Sequence, residues 1–400
     1  MRNPSSLHQN HHYYLDVENL LKTLNLGVYG GMASVSYLPL HSGHVPRWLF
    51  NRMVKLGYAI SKVIIEDLGR NEFIYRLSNP FWFQALGCAL GFDWHSSGIT
   101  TVLTGVLKEI FRDDNEFGIY IVGGKGREAI NIPYYLDNLG ETLNTTYVNE
   151  LKYLSRLAAR TDNLLLQDGY DLYHQAIIFS DDRYWSIIQQ GMNIDIKYAR
   201  RYHWSNVNKV DSVIQEPHTG IVTQRIENNI LNLVDRRSRE AKKLMLDIIA
   251  DRRIHKDLDK LYSVLKIGLY QYLNVDKEYT ASSNVKILFM PPKINWSVIR
   301  RLYENRPTTI PEFLNVRGVN KEVVRGLALI ASLIYGEEVE WRDTIKYTFT
   351  VGGKDGVPYP VDVKTYDKLI NYLQDAVEGA DIDRKEKRRA LQRISRLKLI

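Results

Sequence analysis

Apolar residues recur every three or four positions through "PRWLFNRMVKLGYAISKVIIEDLG", which predicts a helix opened by Pro46 in its first turn. "NPFWFQALGCALGF" predicts a second, shorter helix, and "ETLNTTYVNELKYLSRLAARTDNLLL" a third. "FGIYIVGGKG" is a strand running into a glycine turn. "YHQAIIFSDDRYWSIIQQGMN" predicts a β-hairpin: two β-rich runs flank the polar stretch Ser180-Asp181-Asp182-Arg183. Further on, "NNILNLVDRRSREAKKLMLDIIADRR" reads as an amphipathic helix, and "FMPPKINW" as a proline-marked boundary. The pattern gives an α+β chain. A mixed α/β region with a central hairpin or sheet spans 1–225, a helical connector spans 226–292, and a helical domain spans 293–400.

Composition bounds the class. Four hundred residues with 44% hydrophobic content suffice for more than one core. No run reaches the length needed to cross a bilayer, and "MRNPSSLHQNHHYYLDVENL" holds no apolar signal core, so the expectation is a cytoplasmic protein without membrane contact. Cys88 stands alone, which excludes disulfides and four-cysteine zinc sites within the chain. Charge is divided unevenly. Residues 1–225 hold 21 Lys+Arg against 22 Asp+Glu, whereas residues 226–400 hold 32 against 24. A surplus of cations confined to one region is the footprint of a phosphate-backbone binder, and equally of a solvated helix face. The terminal "DRKEKRRALQRISRLKLI" concentrates it.

Within "FLNVRGVNKEVVRGLALIASLIYG", two apolar stretches meet at Arg317-Gly318-Val319-Asn320. In a helix–hairpin–helix the glycine makes the bend, the hydrophobe plugs between the helices, and amides opening the second helix face a phosphate. Gly318, Val319 and Asn320 fill those positions, with Lys321 and Arg325 adding charge beside the turn. An ordinary packed helix–turn–helix fits the same short pattern. The segment Pro358-Tyr359-Pro360-Val361-Asp362 that follows resembles the helix–hairpin–helix DNA glycosylases, where such a segment supplies a catalytic Asp. That resemblance implies a catalytic role for Asp362, although the lyase lysine of bifunctional members falls on Glu322 and Asp362 can equally cap the next helix.

The first region holds the denser polar clusters. Asp93 and His95 lie in "GFDWHSSGITT", Lys125 on "GGKG", and Asp168 and His174 in "TDNLLLQDGYDLYHQ". Gln189 lies in "WSIIQQGMN" and Arg200 and Arg201 in "ARRYHW". Several interrupt apolar runs, where unpartnered polar groups are costly, so they are expected to converge. A metal-dependent phosphodiesterase accounts for the mixture. Asp93, His95, Asp168 and His174 would hold a divalent Mg²⁺ or Mn²⁺, while Lys125 would steady phosphate charge. Gln189 completes the expected catalytic set, and Arg200 and Arg201 are candidate nucleic-acid contacts. On the hairpin, His174, Ala176 and Ile178 share one face, whereas Gln189 and Gln190 point to opposite faces.

The motifs "LPLHSGHVPRWLFNRMVKL", "RLSNPFWFQALGCALGFDWHSSGITT", "GGKG", "DNLLLQDGYDLYHQ", "QQGMN", "ARRYHW", "PHTGI" and "GGKDGVPYPVD" resemble domain-of-unknown-function family 763, found in archaea and some bacteria. The resemblance spans roughly residues 35–385 and implies a prokaryotic cytoplasmic protein. The family's hairpin carries a second glycine followed by Pro-Lys, where this chain has Asn320, Lys321 and Glu322. Together these readings predict a DNA-binding, DNA-processing protein: a metal-dependent nuclease of DNA repair. The alternatives are a glycosylase-like base-excision enzyme working from Asp362 and a DNA-binding protein without catalysis.

Overall fold

Ala176-Ile177-Ile178-Phe179 is an unbroken apolar run in a strand, so neighbouring side chains, which point to opposite faces, must all be buried. The fold follows from that requirement: a five-stranded antiparallel sheet covered by helices on both faces. The computed structural model describes residues 45–91, 98–112, 116–140, 143–206, 214–223, 226–227, 230–251, 295–343 and 373–395, with isolated positions 254, 256–257, 260 and 371. Strand order is β1 (Ile119–Lys125), β3 (Asp171–Ser180), β4 (Trp185–Asn193), β5 (Tyr198–Ser205) and β6 (His218–Val222). The predicted hairpin is β3–β4, pairing Ile177 with Ile187 and His174 with Gln190, and Arg183 takes a positive φ of 68° at its turn.

One face packs Ile119, Ile121, Ile178 and Ile188 against α1 (Arg47–Leu68), α2 (Arg70–Ser78), α3 (Pro80–Leu90) and α4 (Gly98–Ile110). The predicted first helix is α1, with Pro46 as its cap residue; the predicted second is α3, capped by Asn79, whose side chain accepts from the amides of Phe81 and Trp82. The other face packs Val122, Ile177, Phe179, Ile187, Tyr202, Trp204 and Ile221. Over these lie α7 (Thr145–Arg160) and α8 (Arg239–Ala250), together with α9 (Trp296–Asn305), α10 (Ile310–Asn315) and α11 (Lys321–Leu333). Short helices α5 (Arg127–Ile130) and α6 (Ile132–Asn138) follow β1. α7 unwinds through a π-helical turn, Thr161–Leu165, into β2 (Leu166–Gln167).

The later segments join these same layers. Ile230, Leu231, Leu233 and Val234 are fully buried. The amphipathic helix predicted from Asn228 therefore starts only at Arg239, because the apolar residues before it are buried in and around β7 (Leu231–Asn232), which pairs with β2. Asn232 also bridges Glu340, which brings the chain after α11 onto this ribbon. The helical stretch 373–379 and α12 (Arg384–Ser395) pack on the opposite face, where Leu373, Ala376, Val377, Ala390 and Ile394 enter the α1–α4 core. Divisions drawn from composition at residues 225 and 292 therefore cross both cores.

Gly220 of β6 shows how closely the layers meet. A Cβ there would stand 2.3 Å from Pro80 Cγ at the start of α3. We expect Gly220→Ala to lower the urea-unfolding free energy by about 1–3 kcal/mol through overpacking. An unchanged midpoint would contradict this contact.

Candidate functional site

Burial on both faces decides where the polar residues of the strands go. On the α7–α11 side, Asp162 of the π-helical turn is fully buried and accepts from Gln189 Nε2 and Trp204 Nε1, each at 2.8 Å. His218 Nε2 meets its second oxygen at 2.5 Å. Asp168 accepts from Arg200 Nη1 at 2.9 Å, Tyr202 Oη at 2.6 Å and the Tyr170 amide at 3.1 Å. Arg200 also reaches both oxygens of Asp343, at 3.0 and 2.6 Å, and lies over the Tyr170 ring. Burial by itself would lower the Arg200 pKa, but the carboxylates of Asp343 and Asp168 outweigh it and hold the guanidinium charged. The β2–β7 ribbon makes this possible, because it delivers Asp343 beside β5.

The other face carries a polar seam. Thr100, Thr104 and Lys108 recur every fourth residue on α4 and so share one side of it. Thr100 donates to Gln190 of β4, Thr104 meets His174 of β3 at 3.2 Å, and Lys108 donates to the Gly123 carbonyl of β1 at 3.1 Å. The Thr104 hydroxyl gives its proton to the Thr100 carbonyl at 2.7 Å, so His174 must donate from Nε2. Its Nδ1 lone pair is buried without a partner. Lys125 pairs with His174 in the register and lies over the Tyr173 ring. At the far end, Arg201 donates to Gln84 Oε1 at 2.9 Å and His203 Nε2 at 2.8 Å, and stacks on Phe83. With neutral partners only, burial draws its pKa down to about 9.

His174 and Lys125 come together. Asp168 and Gln189 lie on the opposite face, each committed to an interior partner, so Asp168 and His174 do not share one metal site. The glutamine beside His174 is Gln190, as the alternation of strand side chains requires. Arg200 and Arg201 are fully buried and cannot meet a nucleic acid. Asp93, His95 and Asp362 lie outside the described residues. Among the described residues no group of three or more His, Cys, Asp or Glu could hold a metal ion, and no helix is long and apolar enough to cross a membrane. Thr100, Thr104 and Lys108 escaped the sequence reading. Their signal was a polar residue at every fourth position along one side of the helix.

The outward-facing candidate is the turn between α10 and α11. Gly318 has a φ of 96°, and Arg317, Gly318 and Asn320 are exposed while Val319 is buried between the helices. The Asn320 side chain caps α11 by accepting from the Val323 amide at 3.0 Å. The amides of Gly318, Asn320, Lys321 and Glu322 have no acceptor among the described residues. Arg301 of α9 reaches over the bend, for a Cβ on Gly318 would stand 3.0 Å from its Nη2. Lys321 turns back to Asp171, and Arg325 donates to Gln167 Oε1 at 2.9 and 2.7 Å, so these two cations anchor the turn.

The family model described as "Protein of unknown function (DUF763)" matches residues 34–361. The chain belongs to the DUF763 family. No curated protein and no solved structure matches it. The matched span takes in the sheet, the polar seam, the Arg200 network and the Gly318 turn, so this DUF763 chain carries all of them within the family's own region.

The seam makes a pH prediction. Burial, with Lys125 and Lys108 nearby, drives the His174 pKa from 6.5 down to about 3. Between those values the unfolded chain binds a proton that the folded chain refuses, so stability falls as pH drops through that window. His174→Asn should flatten the stability–pH profile there by up to about 1.4 kcal/mol per pH unit. An unaltered slope in urea unfolding would contradict a neutral, buried His174.

Proposed function

We propose that this chain binds the phosphate backbone of duplex DNA through the Arg317–Asn320 turn, as a helix–hairpin–helix does. The observation that supports it is that the amides of Gly318, Asn320, Lys321 and Glu322 have no acceptor among the described residues, at a bend beside Arg317 and Arg301. A helix N-terminus with bare N–H groups favours an anion through both hydrogen bonding and the helix dipole. The surrounding charge favours a polyanion: residues 226–400 carry 32 basic against 24 acidic side chains. Contacts of this type hold the backbone and read no bases, so the expected binding is insensitive to sequence.

Asp168 and His174 face opposite sides of the sheet, so they do not support backbone cleavage at one shared metal.

Two substitutions of opposite sign test it. Arg317→Glu should weaken binding of a labelled duplex, in fluorescence anisotropy at low salt, by about tenfold and reduce the salt-dependence slope by about 0.9. Glu322→Gln, which removes the one acid in the first turn of α11, should tighten binding. Absence of binding by the wild-type chain, or identical curves for all three proteins, would sink the proposal.

A further inference from the structure

Helix α12 offers a second cationic surface. Arg384, Lys387 and Arg388, with Gln374, Glu378, Leu391 and Gln392, line a cleft of about 530 Å³ between α12 and the stretch 373–379. Glu378 is the one acid in that lining. Arg384 and Arg388 stand one helical turn apart, as do Arg389 and Arg393, and like charges at that spacing destabilise a helix unless an anion lies between them. Two of the nearby acids are engaged within the chain. Glu386 faces Arg52 of α1 at 4.0 Å. Asp383 caps α12, accepting from the amides of Lys385 and Glu386 at 2.8 and 3.1 Å. Arg384, Arg388 and Arg389 have no carboxylate partner among the described residues.

The apolar side of α12 is not free to enter a lipid surface. Ala390 and Ile394 are fully buried in the α1–α4 core, and Arg393 is tied to the Ala89 carbonyl at 2.6 Å. What remains outside is polar and positive, which suits a hydrated polyanion. Place in the fold matters as much. The Gly318 turn belongs to the layer on one face of the sheet, and α12 belongs to the layer on the other.

We propose that the α12 cleft is a second nucleic-acid-backbone site, separated by the sheet from the Gly318 turn, so that one chain holds two duplex segments at once. This rests on the reading of the turn given above. The two surfaces share no residue, and each has its own cations: Arg301 and Arg317 on one side, and on the other Arg384 and Arg388 in the cleft with exposed Arg389 beside it on α12.

A capture experiment with the full chain tests it. A duplex is fixed to beads, the chain is bound and washed, and a fluorescent second duplex is added. The wild-type chain should retain the second duplex. The triple variant Arg384→Gln, Arg388→Gln, Arg389→Gln should bind the first duplex within about tenfold of wild type but lose second-duplex capture by tenfold or more. The substituted side chains are solvent-facing, and an unchanged circular dichroism spectrum and melting temperature confirm the fold. Capture undiminished in the triple variant overturns the proposal, as does single-duplex binding by the wild type without capture. Loss of binding to phosphatidylserine vesicles, with DNA capture unaltered, also overturns it. Failure of the wild type to bind any duplex rejects the reading of the turn instead.

Discussion

A sheet covered on both faces leaves its strands no solvent into which to point a polar side chain. Gln189, Gln190, Arg200, Arg201, His174 and His203 all project from strands, and each is at most 2% exposed. A buried polar group without a partner costs roughly 1–3 kcal/mol, and a buried charge far more. The structure meets this constraint by splitting the polar residues by face. Asp162 and Asp168 collect donors on one side, and α4 lays a row of hydroxyls and a lysine across the other. Among the described residues, the polar side chains of these strands are thus largely the means by which a doubly covered sheet stays satisfied.

Arg200 and its neighbour Arg201 show two solutions to one problem. Arg200 is held by two carboxylates, one brought by the turn before β3 and the other by the segment after α11, so it joins residues 175 positions apart in a single fold. Arg201 has amide, imidazole and carbonyl acceptors and a ring beneath it, and burial weakens its hold on the proton. Replacing a buried ion pair by apolar residues is often neutral, whereas removing one partner is not. The Arg200 tie therefore constrains which strand and which loop meet rather than adding much net stability. That placement sets the Gly318 turn, because Gln167 and Asp171, flanking Asp168, anchor Arg325 and Lys321.

Much of the local structure was legible. The β3–β4 hairpin was fixed by its turn residues and alternation, α1 and α3 by period and proline, and the Gly318 bend by the one residue type that tolerates its φ. The same alternation separated Gln189 from Gln190. Sequence could not reveal which residues met across the fold. A motif containing Asp, Gln and His looks alike whether it lines a cleft or closes a buried network, and only topology puts Asp168 and His174 on opposite faces. The early start assigned to α8 had the same root, since a short apolar run such as Ile230–Val234 fits a buried strand and a helix equally. Charge counting located the basic region, yet the Gly318 turn and α12 fall in layers on opposite sides of the sheet.

The proposed backbone contact rests on the amides of the Gly318 turn, which have no acceptor among the described residues. The sequence contains two Arg-Gly pairs, Arg317-Gly318 and Arg325-Gly326. Combining carbonyl-¹³C arginine with ¹⁵N glycine therefore singles out two amide signals, one exposed at the turn and one buried within α11. On titration with duplex DNA, the Gly318 signal should shift and saturate while the Gly326 signal stays. Both signals unmoved, in a solution where the duplex is bound, would contradict the turn as the site of phosphate contact.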